Sequence, residues 1–182
     1  MMPSENVLVV MGVSGSGKST IAAMLAHRLN WIYEDGDWFH PQSNIDKMHH
    51  GEPLTDADRW PWLHAIADWI DATRASGNRG VVACSALKRA YRDILIGERK
   101  DVGLVFLQGD RDLIAQRIAA RADHFMPPGL LDSQFQALEP PRPDEQPIVV
   151  SIAPRPREIV ETIVQKLGID DACSVGAKLS AR

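Results

Sequence analysis

An apolar run, Val7-Leu8-Val9-Val10-Met11, opens directly onto Gly12-Val13-Ser14-Gly15-Ser16-Gly17-Lys18-Ser19-Thr20, and no other stretch limits the possible folds so strongly. The second segment fits the phosphate-cradling pattern G-x-x-x-x-G-K-[ST], with a strand before it and helical spacing after it. A polyphosphate needs several donors converging on it. Gly12, Gly15 and Gly17 allow the backbone to turn its N–H groups inward and approach closely. Gly12 to Thr20 are therefore the candidate nucleotide-binding residues. Lys18 is expected to reach the terminal phosphates and Ser19 to offer its hydroxyl to Mg²⁺, while the N-terminus of the following helix adds favourable partial positive charge.

The rest of the chain alternates strand and helix about that point. Val7 to Met11 reads as a strand buried on both faces. Ile21, Met24, Leu25 and Leu29 follow helical spacing, and Trp31 to Glu34 predicts a second strand. That strand delivers Asp35-Gly36-Asp37 to the carboxyl edge of the sheet, where open α/β folds bind ligands. A polar flap, about residues 38–58, contains a short helix near Asn44 to His50. Asp58 is a candidate N-cap for the next helix and Thr55 competes with it; the Asp58 cap leaves Pro61 in the first turn. Gly80 to Cys84 is a third strand. Lys88 and Arg89 follow its exit as candidate anion contacts, whereas surface solvation suffices for Arg92.

Val102 to Leu107 is a fourth strand, and Gly109 or Asp110 starts a helix with Leu113, Ile114 and Ile118 inward. Arg117 and Arg121 share its other face. With His124-Phe125-Met126-Pro127 they form either an exposed basic face or part of a lid, about residues 122–142, that closes over ATP and excludes water. Leu130 to Leu138 is expected as a lid helix, Ile148 to Ile152 as the last strand and Pro156 to Leu167 as the last helix. The alternation predicts a parallel, doubly wound α/β sheet in a single domain over residues 1–168, with a mobile tail at 169–182.

Composition narrows the partners. A chain of 182 residues buries roughly 70% of its unfolded surface without staples. A net charge of -4 gives no footprint for nucleic acid or anionic membrane. Cys84 and Cys173 lack metal-ligand spacing, which suggests a reducing, cytoplasmic setting, and no apolar run reaches membrane-spanning length. A switch GTPase would need Asp-x-x-Gly after a core strand and an [Asn/Thr]-Lys-x-Asp motif, and neither occurs. Small size, paired aspartates and an arginine-bearing lid favour phosphoryl transfer to a small acceptor.

The cradle, Asp35-Gly36-Asp37-Trp38-Phe39-His40-Pro41, Asn44-Ile45-Asp46-Lys47-Met48 and Gly51-Glu52-Pro53-Leu54-Thr55-Asp56 together resemble the gluconokinases. So do Asp58-Arg59-Trp60-Pro61-Trp62-Leu63, Cys84-Ser85-Ala86-Leu87-Lys88-Arg89-Ala90-Tyr91-Arg92-Asp93, His124-Phe125-Met126-Pro127 and Leu130-Leu131-Asp132-Ser133-Gln134-Phe135-Gln136-Ala137-Leu138-Glu139. The resemblance spans roughly residues 7–167, and the His-Pro flap, the Cys-Ser-Ala-Leu-Lys exit and the His-Phe-Met-Pro lid are its specific parts.

It implies ATP-dependent phosphorylation of D-gluconate at the 6-hydroxyl. It also implies a three-layer P-loop fold of the nucleoside-monophosphate-kinase type, with a central five-stranded parallel sheet, and a homodimer. On these residues, Asp37 orients the acceptor hydroxyl and accepts its proton, while Asp35 lies near the Mg²⁺ bound at Ser19; the two aspartates are interchangeable at this level. His40, Lys47, Arg59, Lys88 and Arg89 are the candidates for gluconate, with Arg59 and Arg89 first because a guanidinium grips a carboxylate in two places. Lys18, Arg117 and Arg121 neutralise phosphate charge, and Ala153-Pro154-Arg155 borders the base. The alternatives are a shikimate-type or nucleotide-acceptor kinase, or a nucleotide-gated binding protein.

Overall fold

The computed structural model describes residues 5–120 and 128–168. Their strands are β1 (Val7–Met11), β2 (Ile32–Asp35), β3 (Gly80–Ala83), β4 (Val102–Gln108) and β5 (Ile148–Ser151). All pair in parallel, in the order β2-β3-β1-β4-β5. β1 is central, with Val9 opposite Val82 on one side and Leu104 on the other.

The unbroken apolar run of β1 follows from that position. Side chains alternate across a strand, so Leu8 and Val10 enter one core and Val7, Val9 and Met11 enter another. The first core is closed by Ile21 and Leu25 of α1 (Lys18–Leu29) and by Ile159 and Ile163 of the carboxyl-terminal helix (Pro156–Lys166). The second receives Trp62, Leu63, Ile66 and Ile70 from the long helix over Asp56–Ala75, with Tyr91 and Leu95 from the helix over Arg89–Leu95. In chain order the helices after α1 are α2 (Gln42–His49), α3 (Asp56–Ala75), α4 (Arg89–Leu95), α5 (Arg111–Ala119), α6 (Pro128–Ala137) and α7 (Pro156–Lys166). Helices therefore cover both faces of the sheet.

Three local expectations change. The N-cap of α3 is Thr55 rather than Asp58, which occupies the third helical position: Thr55 Oγ1 accepts from the Asp58 N–H at 3.3 Å, and the Asp58 carboxylate accepts from the Thr55 N–H at 2.8 Å. The reciprocal box satisfies two donors where a lone Asp58 cap satisfies one. Pro61 consequently lies in the second turn and removes a main-chain hydrogen bond to Ala57. Arg92 is not a solvated surface residue. It is 2% exposed, with its guanidinium on Glu145 at 2.5 Å and on the carbonyl oxygens of Ala86 and Leu87 at 3.0 and 3.2 Å.

Candidate functional site

The site lies at the carboxyl edge of the sheet, where β1, β2 and β3 end. Between β1 and α1 the cradle turns through Gly15 at φ 79°, and a Cβ there would meet Ile118 of α5 at 2.6 Å. Glycine is required at this position by helix packing as well as by backbone angle. α1 starts at Lys18 with no side-chain cap and no acidic residue in its first turn. Its orphan N–H groups thus suit an external anion. Lys18 Nζ folds back to the Val13 carbonyl at 3.0 Å. Burial pushes its ammonium pKa down, opposed by the negative charges of Asp37 and Asp35. A bound polyphosphate would relieve that desolvation.

Asp35, the last residue of β2, faces the cradle. Its Oδ2 accepts from Ser19 Oγ at 2.7 Å and from the Tyr33 hydroxyl at 3.2 Å, and its Oδ1 accepts from the Asp37 N–H at 3.0 Å. Burial, with the adjoining Asp35 charge, pushes the Tyr33 phenol up to about 12, so Tyr33 remains a donor. Gly36 is buried against the Ala83 carbonyl of β3, an approach that a side chain would block. This brings Asp37 round to the site, exposed and with no hydrogen bond to its carboxylate among the described residues. Ser19 and Asp35 supply hard oxygen donors side by side, and this chemistry fits Mg²⁺, which keeps much of its water shell.

The flap stands beside Asp37. His40 stacks on Trp62 with ring centroids 4.3 Å apart, and Trp62 Nε1 donates to the Gly36 carbonyl at 2.6 Å. Arg59 has a long ion pair to Asp56, 3.6 Å, and lies 5.9 Å over the Tyr91 ring. Other candidate cations are tied more tightly. Lys47 holds both Asp58 oxygens at 2.8 and 2.9 Å, Lys88 holds Asp56 at 2.9 and 3.0 Å, and Tyr91 donates its hydroxyl to Asp56 as well. Lys47 and the Thr55 donors hold the Asp58 carboxyl down at about 2. Arg89 pairs with Asp93 at 3.0 Å and Asp144 at 2.9 Å, toward the proline-rich return. The structure therefore gathers Lys18, Ser19, Asp35, Asp37, His40 and Arg59, and it directs Arg89 elsewhere.

On the nucleotide side, Arg117 donates to the Ile152 carbonyl at 2.6 Å, next to the exposed Pro154. Arg121, His124-Phe125-Met126-Pro127, Cys173 and the segment 169–182 lie outside the described residues. Sequence reasoning gave Gln134 no role of its own. This α6 residue accepts from the Ser14 N–H at 2.6 Å and donates to Ser14 Oγ at 2.9 Å, across 120 residues of chain that no local pattern links.

The "AAA domain" family model matches residues 7–141. A gluconokinase of Gluconobacter oxydans (strain 621H) is 44% identical over 164 residues, covering 90% of this chain and 92% of the relative. Among solved structures, a gluconokinase from Sinorhizobium meliloti 1021 superposes with a TM-score of 0.83 at 42% identity, covering 91% of this chain and 93% of that one. A shikimate kinase from Aquifex aeolicus superposes with a TM-score of 0.54 at 16% identity, over 89% of this chain and 96% of its own, a likeness of fold alone. The parallel sheet with its cradle is thus the α/β fold of the P-loop kinases.

Proposed function

Because the chain belongs to the gluconokinase family, we propose that it transfers the terminal phosphoryl group of ATP to the 6-hydroxyl of D-gluconate, giving 6-phosphogluconate and ADP. The observation that carries this reading is the 2.7 Å bond from Ser19 to Asp35, which seats the Asp35-Gly36-Asp37 turn at the mouth of the cradle. A nucleotide's terminal phosphate and an acceptor hydroxyl held by Asp37 would then meet.

Catalysis on this reading is positioning plus charge neutralisation. Lys18, Arg117 and Arg121 hold phosphate oxygens, and the cradle amides fix the remainder of the chain of phosphates. Pro154 borders the base. Ser19 and Asp35 would hold Mg²⁺, which when bound supplies further neutralisation of the transferring group. Asp37 orients the acceptor hydroxyl and takes its proton as the oxygen–phosphorus bond forms and the bond to ADP breaks. Arg59 grips the gluconate carboxylate, since its 3.6 Å tie to Asp56 is looser than the pairs that hold Lys47, Lys88 and Arg89. His40 contacts the acceptor from the flap. Lys47 and Lys88 shape the wall through their carboxylate partners, Asp58 and Asp56.

The test is ADP release by the purified protein with ATP and Mg²⁺, comparing no acceptor, D-gluconate, shikimate and nucleoside monophosphates. Stimulation by gluconate alone is expected. Stimulation by another acceptor alone, or nucleotide binding without stimulated turnover, would overturn the assignment.

A further inference from the structure

His40 has two ring nitrogens, and which one carries the proton decides whether the flap offers the acceptor a donor or a base. The structure answers this through Asn44, which is 2% exposed. One amide group of Asn44 faces two partners: the Asp58 carbonyl at 2.8 Å and His40 Nδ1 at 3.3 Å. A carbonyl only accepts, so the group facing it is the NH₂ and the amide orientation is settled by chemistry. Turning the amide over would set oxygen against oxygen at the Asp58 carbonyl.

The same NH₂ therefore meets His40 Nδ1 with a hydrogen. A proton on Nδ1, in either the other neutral tautomer or the doubly protonated ring, would point hydrogen at hydrogen across a 3.3 Å gap that has no room for a water molecule. Trp62 covers one face of the ring. Nε2, on the edge away from Asn44, has no hydrogen-bond partner among the described residues. Burial moves the ring's pKa down, against the charge of Asp37, which favours protonation, and with the charge of Arg59, which opposes it.

We propose that Asn44 is a positioning residue that fixes His40 as the neutral Nε2–H tautomer, so that Nε2 donates a hydrogen bond to an acceptor-type oxygen, a carboxylate or hydroxyl, of the polyhydroxy acid. The identity of that ligand rests on the function proposed above, whereas the tautomer does not. His40 then acts in binding and takes no proton from the reacting hydroxyl, a task left to Asp37.

Two measurements test this. In ¹⁵N-labelled protein at neutral pH, long-range ¹H–¹⁵N correlation of the imidazoles, with His40 assigned by its loss in His40→Phe, is expected to show Nδ1 bare and Nε2 protonated. A protonated Nδ1 would overturn the proposal. In Asn44→Leu the ring is expected to drift towards tautomer exchange, and an unchanged spectrum would remove the role of Asn44. In kinetics, His40→Phe keeps the stack on Trp62 and loses the donor, so the gluconate KM is expected to rise about tenfold with the ATP KM unchanged, the loss of one hydrogen bond. His40→Gln, whose amide N–H falls near Nε2, is expected to stay within about threefold of the parent. Equal gluconate KM values for the two variants would overturn the donor role. Absence of gluconate turnover in the parent protein would overturn the function and the donor's ligand together, and the spectrum would still decide the tautomer.

Discussion

Lys18 is a charge held where charge is costly. Its ammonium contacts the Val13 carbonyl and has Asp37 and Asp35 for electrostatic company, yet burial still lowers its pKa. An ammonium in that condition gains most when phosphate arrives. Lys18→Ala is therefore expected to lower kcat by about two orders of magnitude or more, the scale of losing one preorganised charge contact, while leaving the thermal midpoint unchanged or slightly raised. Steady-state kinetics and a thermal melt check both halves, and a folded variant with full turnover would remove Lys18 from the mechanism. The placement of Lys18 and Ser19 at the start of α1 was readable in the sequence because strand end, cradle and helix start follow one another without interruption from Val7 to Thr20. Arg92 was not, since its partner Glu145 lies 53 residues on and only folding brings the two together. Lys47, Lys88 and Arg89 stand between these cases: the sequence marks them as cations, but what they are worth to a ligand depends on carboxylates that tertiary structure supplies.

At the scale of elements, α3 does two jobs with one end. Its capping box sets where the helix begins, and Asp58 within that box also holds Lys47 of α2, so the flap is hung from the cap. Thr55→Ala is expected to cost about 1 kcal/mol of stability, the usual price of a lost N-cap, read as a lower urea midpoint at constant slope; no change would mean that Asp58 caps unaided. The periodicity of α1, α3 and α7 made these helices legible, because each packs one stripe against the sheet. The first residue of α3 was harder, since Thr55 and Asp58 are both good caps and the choice depends on reciprocity between them. α6 could be read as a helix, but its hold on the cradle through Gln134 and Ser14 could not, as a glutamine side chain gives no sign of its partner.

The whole molecule has a stapled base and a working rim. At the base, the Asp101 carboxylate receives the Arg74 guanidinium at 2.6 Å and the Asn6 amide at 2.9 Å, and its carbonyl accepts the Asn6 N–H at 2.7 Å, joining the ends of α3, β1 and β4. Arg74 and Arg99 add Asp71 to the same network. Arg74 foremost pulls the Asp101 pKa from 3.8 to about 2. A depressed carboxylate stabilises the fold above its unfolded pKa, so this contribution is present at neutral pH and lost as pH falls through the window from 3.8 to about 2. Asp101→Asn is expected to melt lower than the parent at pH 7 and to lose less on acidification across that window; parallel melting curves would rule the staple out. At the rim, Arg117 rests on the Ile152 carbonyl while its neighbour Ile118 is seated against Gly15. If Arg117 serves the nucleotide, it need only exchange one oxygen partner for another by turning its own side chain. Rotamer changes take picoseconds to nanoseconds, whereas lids open and close over microseconds or longer. The arginine would then keep pace with any nucleotide that arrives, and the tempo of turnover would be set by backbone movements or by the chemical step.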